Sequence, residues 1–257
     1  MRKLLLLISL VGTAFGQAAF VQAVTSSSGA ISNSVSVSFP TLPGVGHAVY
    51  IHIFGNQNSS TAFTVASPTD NQTGNTYAVT ATSQSTVDSA RALSAIACGI
   101  VVGSSGTFTV TGHLSAGLTY LEITLVEMTN GTCTADGTVT INSGGSVGST
   151  PWPTGTTGIS TTNANDIILA GVSAAIANPM LFTAGSGYVM PAGAKQDNES
   201  CCGSGTLEYK IVSSTGTYSA VITSISGSSN YAGVSAAFKQ SGAAAPTMIH
   251  HQVTGGQ

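Results

Sequence analysis

Charge is what this chain has least of. Only 6% of its 257 residues are Asp, Glu, Lys or Arg, six basic and nine acidic, where ordinary globular chains carry about 25%. The shortage argues against a nucleic-acid partner. Two of the six cations, Arg2 and Lys3, sit at the extreme N-terminus, and the rest make no basic patch to neutralise phosphates. Disorder of the usual kind is also excluded, because it combines low hydrophobicity with high net charge, and this chain is 42% hydrophobic with a net charge of −3. Long apolar runs are missing as well. Past the N-terminus each is broken within about ten residues, short of the roughly 20 a spanning helix needs, so no membrane span is expected. Neither G-x-x-x-x-G-K, nor H-E-x-x-H, nor a zinc C-x-x-C occurs. The expectation is therefore a protein that is not an enzyme, with no metal site and no cofactor.

What is present is glycine, serine and threonine in short alternating patterns. The stretch Gly99 to Gly131 returns in weakened form near the end of the chain. A shift of about 110 positions lays Gly106-Thr107-Phe108 on Gly216-Thr217-Tyr218 and Val101-Val102 on Ile211-Val212. In both copies large or apolar residues (Phe108, Val110; Tyr218, Ala220, Ile222) alternate with Thr or Ser, the period of a half-buried strand, so both aromatics are expected to pack inward. AGVSAA at 170–175 recurs letter for letter at 232–237. HAVYIHIF at 47–54 is apolar on both faces, as an interior strand would be. Leu207, Tyr209 and Ile211 share one face of a strand, with Glu208 and Lys210 on the other.

Ser85 to Ala97 is the one place where a helix competes, with Ser85 as a cap and alanines favouring it. Roughly fourteen short strands separated by turn signals predict an all-β protein, an antiparallel β-sandwich or jelly roll built from two related halves. The halves are placed at about 17–142 and 159–240, with a linker at 143–158 carrying the only tryptophan, Trp152. Two small β domains hinged at Trp152 are the alternative, and 241–257 is read as a disordered tail.

Arg2-Lys3, the apolar run Leu4 to Val11 and the small residues around Ala14-Phe15-Gly16 resemble an export signal, residues 1–16, with cleavage expected after Gly16. The mature chain is then secreted or held at the cell surface. Four cysteines in an exported chain allow three disulfide pairings. Cys98 with Cys133 is the expected bridge, leaving the neighbours Cys201 and Cys202 to bond together or stay reduced.

Glu122 and Glu127 are the closest acidic pair and so the only candidates for glycosidase carboxylates. Five positions apart on a strand, they point to opposite faces. Glu127 continues the face of Leu121, Ile123 and Leu125 and is expected to reach solvent at the strand end. His47 and His52 also face opposite ways, so a metal site would need a third strand and a residue such as His113. Asp70, Asn71 and Asn75 form a plain Asx turn or a calcium-holding one. N-x-S/T triplets at Asn58, Asn71, Asn130 and Asn198 mark exposed loops. Trp152, fixed between prolines, is the best sugar-stacking candidate, and Tyr77 and Glu127 complete the candidate ligand-binding set.

Asp70 to Tyr77 (DNQTGNTY), a strand ending in Glu127, Asn165 to Ala170 (NDIILA) and Leu207 to Ile211 (LEYKI) before STGTY together resemble uncharacterised exported β-sandwich proteins of bacterial and metagenomic origin. The resemblance covers nearly the whole mature chain and implies the fold and the export. It implies no activity; on the residues themselves three functions remain, in this order: a non-enzymatic surface or extracellular structural or adhesion protein, able to self-associate through unguarded edge strands, a carbohydrate-binding module, and a glycoside hydrolase.

Overall fold

Apolar and hydroxyl-bearing residues alternate along most of the chain, which places one set on each face of an extended strand. The computed structural model describes residues 16–57, 62–85, 91–118, 120–147, 151–155, 158–175, 181–196, 204–224 and 229–241. Among them every regular element is a β-strand. In chain order these begin with β1 (Ala19–Ser27), β2 (Ser32–Ser38), β3 (Ala48–Gln57), β4 (Val65–Asp70) and β5 (Tyr77–Gln84). Next come β6 (Arg91–Ile100), β7 (Thr109–Leu118), β8 (Tyr120–Thr129), β9 (Gly131–Ala135) and β10 (Thr140–Val147). The short β11 (Pro151–Pro153) and β12 (Ile159–Thr161) precede β13 (Asp166–Ala175), β14 (Phe182–Thr183) and β15 (Lys195–Gln196). The series closes with β16 (Ser204–Val212), β17 (Gly216–Tyr218), β18 (Val221–Ser224) and β19 (Ser229–Gln240).

Every strand pairing is antiparallel. One large sheet runs β1-β8-β3-β6-β5 and the other β10-β19-β13-β16-β15, with β9 also pairing to β19. Smaller sheets run β2-β7-β4, β11-β18-β14 and β12-β17. The two AGVSAA segments lie side by side, Ala170 opposite Ser235 and Ser173 opposite Ala232.

The two-faced character of β3 shows how these sheets stack. Val49, Ile51 and Ile53 join Val35, Val37, Val110 and Leu114 in one core. The alternate residues Ala48 and Tyr50 join Ile167, Leu169, Val234 and Phe238 in a second. The first large sheet is thus sandwiched between the β2-β7-β4 sheet and the second large sheet, as HAVYIHIF implies. The far face of the second sheet is covered in turn, Val172 by Phe182 and Ile222, and Ile168 by Tyr188 and Ala220. Glycine permits the close approach of the two large sheets: a Cβ at Gly171 would lie 2.5 Å from His52 Nε2, and one at Gly205 would lie 2.3 Å from Phe54 Cδ2.

The helix expected over Ser85 to Ala97 does not form at its C-terminal end, where Arg91–Ile100 is β6. Both faces of this strand are buried. Leu93, Ala95 and Ala97 enter the first core, and Ile96 and Cys98 the second, a period-2 burial that outweighs the modest helix preference of alanine. Residues 143–158 contain the end of β10 and all of β11. Cys98 and Cys133 form the expected disulfide. Because β6 belongs to the first large sheet and β9 pairs with β19 of the second, the bridge ties the two sheets together. Residues 1–15 of the expected export signal, Cys201, Cys202, Asn58, Asn198, and residues 242–257 of the expected tail, with His250 and His251, lie outside the described residues.

Candidate functional site

The three residues proposed from sequence as a ligand-binding set fall in separate places. Trp152 lies in β11, its backbone paired with Ile222 in the layer outside the second large sheet. Tyr77 begins β5, at one edge of the first sheet, and Glu127 lies in β8, near the other edge. Tyr77 is 8% exposed and its hydroxyl donates to Asp70 Oδ2 at 2.6 Å. It is therefore not presented as a stacking platform. The whole DNQTGNTY loop is instead a latch on residues 102–109. Asp70 also accepts from Asn75 Nδ2 at 2.7 Å and Gln72 N at 2.9 Å, and Asn75 Oδ1 accepts the Val102 and Gly103 N–H groups. Asn71 is engaged likewise, accepting from Thr109 N and donating to Thr107 O. Asp70 is a satisfied Asx turn, and its oxygens already have donors.

Glu127 does not reach solvent. It is 1% exposed, covered by β1 and by the loop between β2 and β3. Its Oε1 accepts the Gly44 N–H at 2.8 Å and lies 2.6 Å from His47 Nδ1, and its Oε2 accepts from Gln22 Nε2 at 2.6 Å. A carboxylate acceptor at Nδ1 places a proton on that nitrogen. The His47 ring is partly exposed, so this is a carboxylate-oriented imidazole at the surface. It has the form of a base and its orienting group, yet no serine, cysteine or threonine among the described residues hydrogen-bonds to it. Glu122 is buried on the opposite face of β8, so the two glutamates do not flank a common bond.

His52 lies between the large sheets, fully buried. Its Nε2 is 2.8 Å from Ser94 Oγ, which donates on to Gly171 O at 3.1 Å. Burial lowers the His52 pKa to about 3, so the ring stays neutral and the pair is sealed from substrate. His113 contacts Thr69 Oγ1 and joins neither of the other two. The sequence contains one G-x-S-x-G string, Gly144 to Gly148. It starts inside edge strand β10, whereas a nucleophile elbow needs a strand-to-helix turn.

A polar cluster lies on the far face of β16. Glu208 is fully buried, accepting the Gly185 N–H at 2.7 Å on Oε2, while Oε1 and the nearby buried Tyr188 hydroxyl have no hydrogen-bond partner. Burial raises the Glu208 pKa to about 7, the Gly185 N–H opposing it. Burial, and secondarily the charge of Glu208, also pushes the Tyr188 hydroxyl upward. Lys210 Nζ caps the rings of Tyr188 and Tyr218 at 5.3 and 5.5 Å. The alternation at 207–211 places Glu208 and Lys210 on this face. What it could not reveal is that residues 181–194, distant in sequence, cover it. A carboxyl titrating near neutrality suits acid–base work, but this one is enclosed.

No family model, no curated protein and no solved structure matches this chain.

Proposed function

We propose that the chain is an exported, non-enzymatic structural or adhesion protein of the extracellular surface that associates with copies of itself through a sheet edge. The observation that carries this reading is the composition of the edge strands. β1 (AFVQAVTSS) and β10 (TINSGGSV) each end a large sheet, and neither contains a charge, the commonest guard against strand addition. Gln22–Ser27 of β1 pairs with β8 in unbroken register. Sedimentation of the mature protein over a wide concentration range tests this: growth with concentration is expected, and a strictly monomeric species refutes it. Mass spectrometry of secreted material tests the export, with Gln17 expected as the first residue.

The finer fold reading belongs with this proposal. Matching β3 with β13, β6 with β16 and β8 with β19 makes the order β8-β3-β6-β5 parallel β19-β13-β16-β15, and β2-β7-β4 parallel β11-β18-β14. This correspondence supports two related jelly-roll halves. It also begins the second half at β10, within the first of the ranges drawn from sequence. The carbohydrate-binding alternative rests on Trp152 alone once Tyr77 is committed to Asp70. A glycan array on the mature protein separates it from self-association.

A further inference from the structure

A second acidic constellation lies where β9, β12 and β13 meet. Asp136 follows β9 and Asp166 opens β13; they are 3% and 0% exposed, and their carboxyl groups are within hydrogen-bond reach of each other. Asp136 is well supplied with donors. Its Oδ2 accepts the Thr162 and Asn163 N–H groups at 2.6 and 2.7 Å, and its Oδ1 accepts the Thr162 hydroxyl. Asp166 is not. Its Oδ1 receives only the Asn163 amide at 3.2 Å, and its Oδ2 is buried with no hydrogen-bond partner.

Two carboxylates in contact inside a protein repel unless something positive lies between or beside them. Lys239 stands opposite Asp166 on β19, and its charge favours the ionised form, but it makes no ion pair with either aspartate.

Beside these N–H donors the neutral oxygen at the pair is Thr162 Oγ1, and a half-turn of the Asn163 amide, whose nitrogen now donates to Asp166 Oδ1, presents Oδ1 in its place. Thr162 also lines a cleft of about 530 Å³ with Gly137, Thr138, Val139, Thr140 and Ser160. No thiol or imidazole belongs to the set, and among the described residues no three His, Cys, Asp or Glu come together as a metal cluster. Such an all-oxygen, irregular set suits a hard cation of flexible coordination, calcium ahead of magnesium.

We propose that Asp136 and Asp166, with Asn163 and Thr162, form a calcium site that pins the β9 and β12 ends to the start of β13. With only two carboxylates, affinity falls at about 0.1–1 mM, the range of extracellular modules.

Calorimetric titration of the mature protein with calcium chloride, and with magnesium chloride in parallel, tests the site at about pH 7.5, well above the ordinary carboxylate range. One calcium per chain is expected, with Tm rising by about 3–5 °C at about ten times Kd. The Asp166→Asn variant keeps the shape and offers Asp136 a neutral donor, so it should fold and lose the calcium response. Absence of a calcium heat and of a Tm shift in the wild type overturns the proposal, as does an Asp166→Asn protein that binds calcium like the wild type. A Tm that climbs on acidification but ignores calcium also overturns it, assigning the pair to a shared proton.

Discussion

Tyr77 and Glu127 stand on one row of the first large sheet. Tyr77 lies opposite Gly99, Gly99 opposite Val49, and Val49 opposite Glu127, so they are three strand spacings apart, roughly 14 Å at about 4.8 Å per strand. The Tyr77 ring lies over Gly99, where a Cβ would come within 2.3 Å of it. The polar groups at the two ends of this row close the two sides of the first core, the Asp70 loop beside β5 and the His47 loop beside β8.

The Asp70 end can be weighed by two substitutions. Tyr77→Phe removes one donor from Asp70 and leaves two, so a loss of about 1–2 kcal/mol is expected in urea unfolding. Asn75→Ala also strands the Val102 and Gly103 N–H groups and should cost more, about 2–3 kcal/mol. If Tyr77→Phe left stability untouched but changed the response to glycans, the latch would be the wrong account of this residue.

The two copies of the central unit are predicted to differ in energetic weight. Phe108 is 1% exposed and packs against Phe39 with ring centroids 6.0 Å apart, so Phe108→Ala should destabilise by about 3–5 kcal/mol. Tyr218, its counterpart, is only partly buried and donates its hydroxyl to Ser214 O at 2.6 Å. Tyr218→Ala should cost about 1–2 kcal/mol. Equal losses at the two positions, measured by the same denaturant titration, would show that they occupy equivalent cores after all.

These cases mark what could be read from the residues. Strand periodicity, the interior place of HAVYIHIF, the opposed faces of Glu122 and Glu127 and the Cys98–Cys133 bridge were all legible, because each depends on spacing within one segment or on a short list of partners. The helix over Ser85 to Ala97 was misread because local alanine preference was weighed without the two sheets that bury Arg91–Ile100. Glu127, Asp166 and Glu208 were opaque for one common reason: the groups that meet them, Gly44, Asp136 and Gly185, come from elsewhere in the chain and carry no pattern that announces the contact.

Glu208 gives stability a pH dependence of definite sign. Its folded-state pKa, raised to about 7 by burial, lies above the ordinary glutamate value of about 4.3. Between these values the folded chain binds more protons than the unfolded one. Stability is therefore complete below the unfolded pKa and is lost as pH rises through the folded one, by on the order of 3 kcal/mol. Glu208→Gln should remove that part of the slope and be more stable than the wild type near neutrality. Parallel stability–pH curves for the two proteins would contradict the assignment.

The edges of the sheets provide the sharpest test of self-association, because they are not wholly without protection. Register breaks occur at Phe20/Gln22 in β1, Val79/Ala81 in β5 and Gly144/Val147 in β10, whereas the interior pairs of β3 with β6 and β8, and of β13 with β16 and β19, run without interruption. Bulges twist an edge away from a neighbour and can substitute for charge as a guard. They do so over part of each edge only. In β1 the break lies at Val21 and leaves Gln22–Ser27 regular, while in β10 it lies toward the C-terminal end and leaves Thr140–Gly144. Deleting β1 would uncover β8 and create a new edge, so a point charge is the cleaner probe. Ser26→Lys places a cation at a partly buried position in the regular stretch of β1, and Ser143→Lys places one at an exposed position in the regular stretch of β10. If β1 is the associating edge, Ser26→Lys should weaken association at least about tenfold in sedimentation, equivalent to about 1.4 kcal/mol, while Ser143→Lys leaves it unchanged. The reverse pattern would move the contact to β10, and indifference to both would mean that copies of the chain do not meet through these edges.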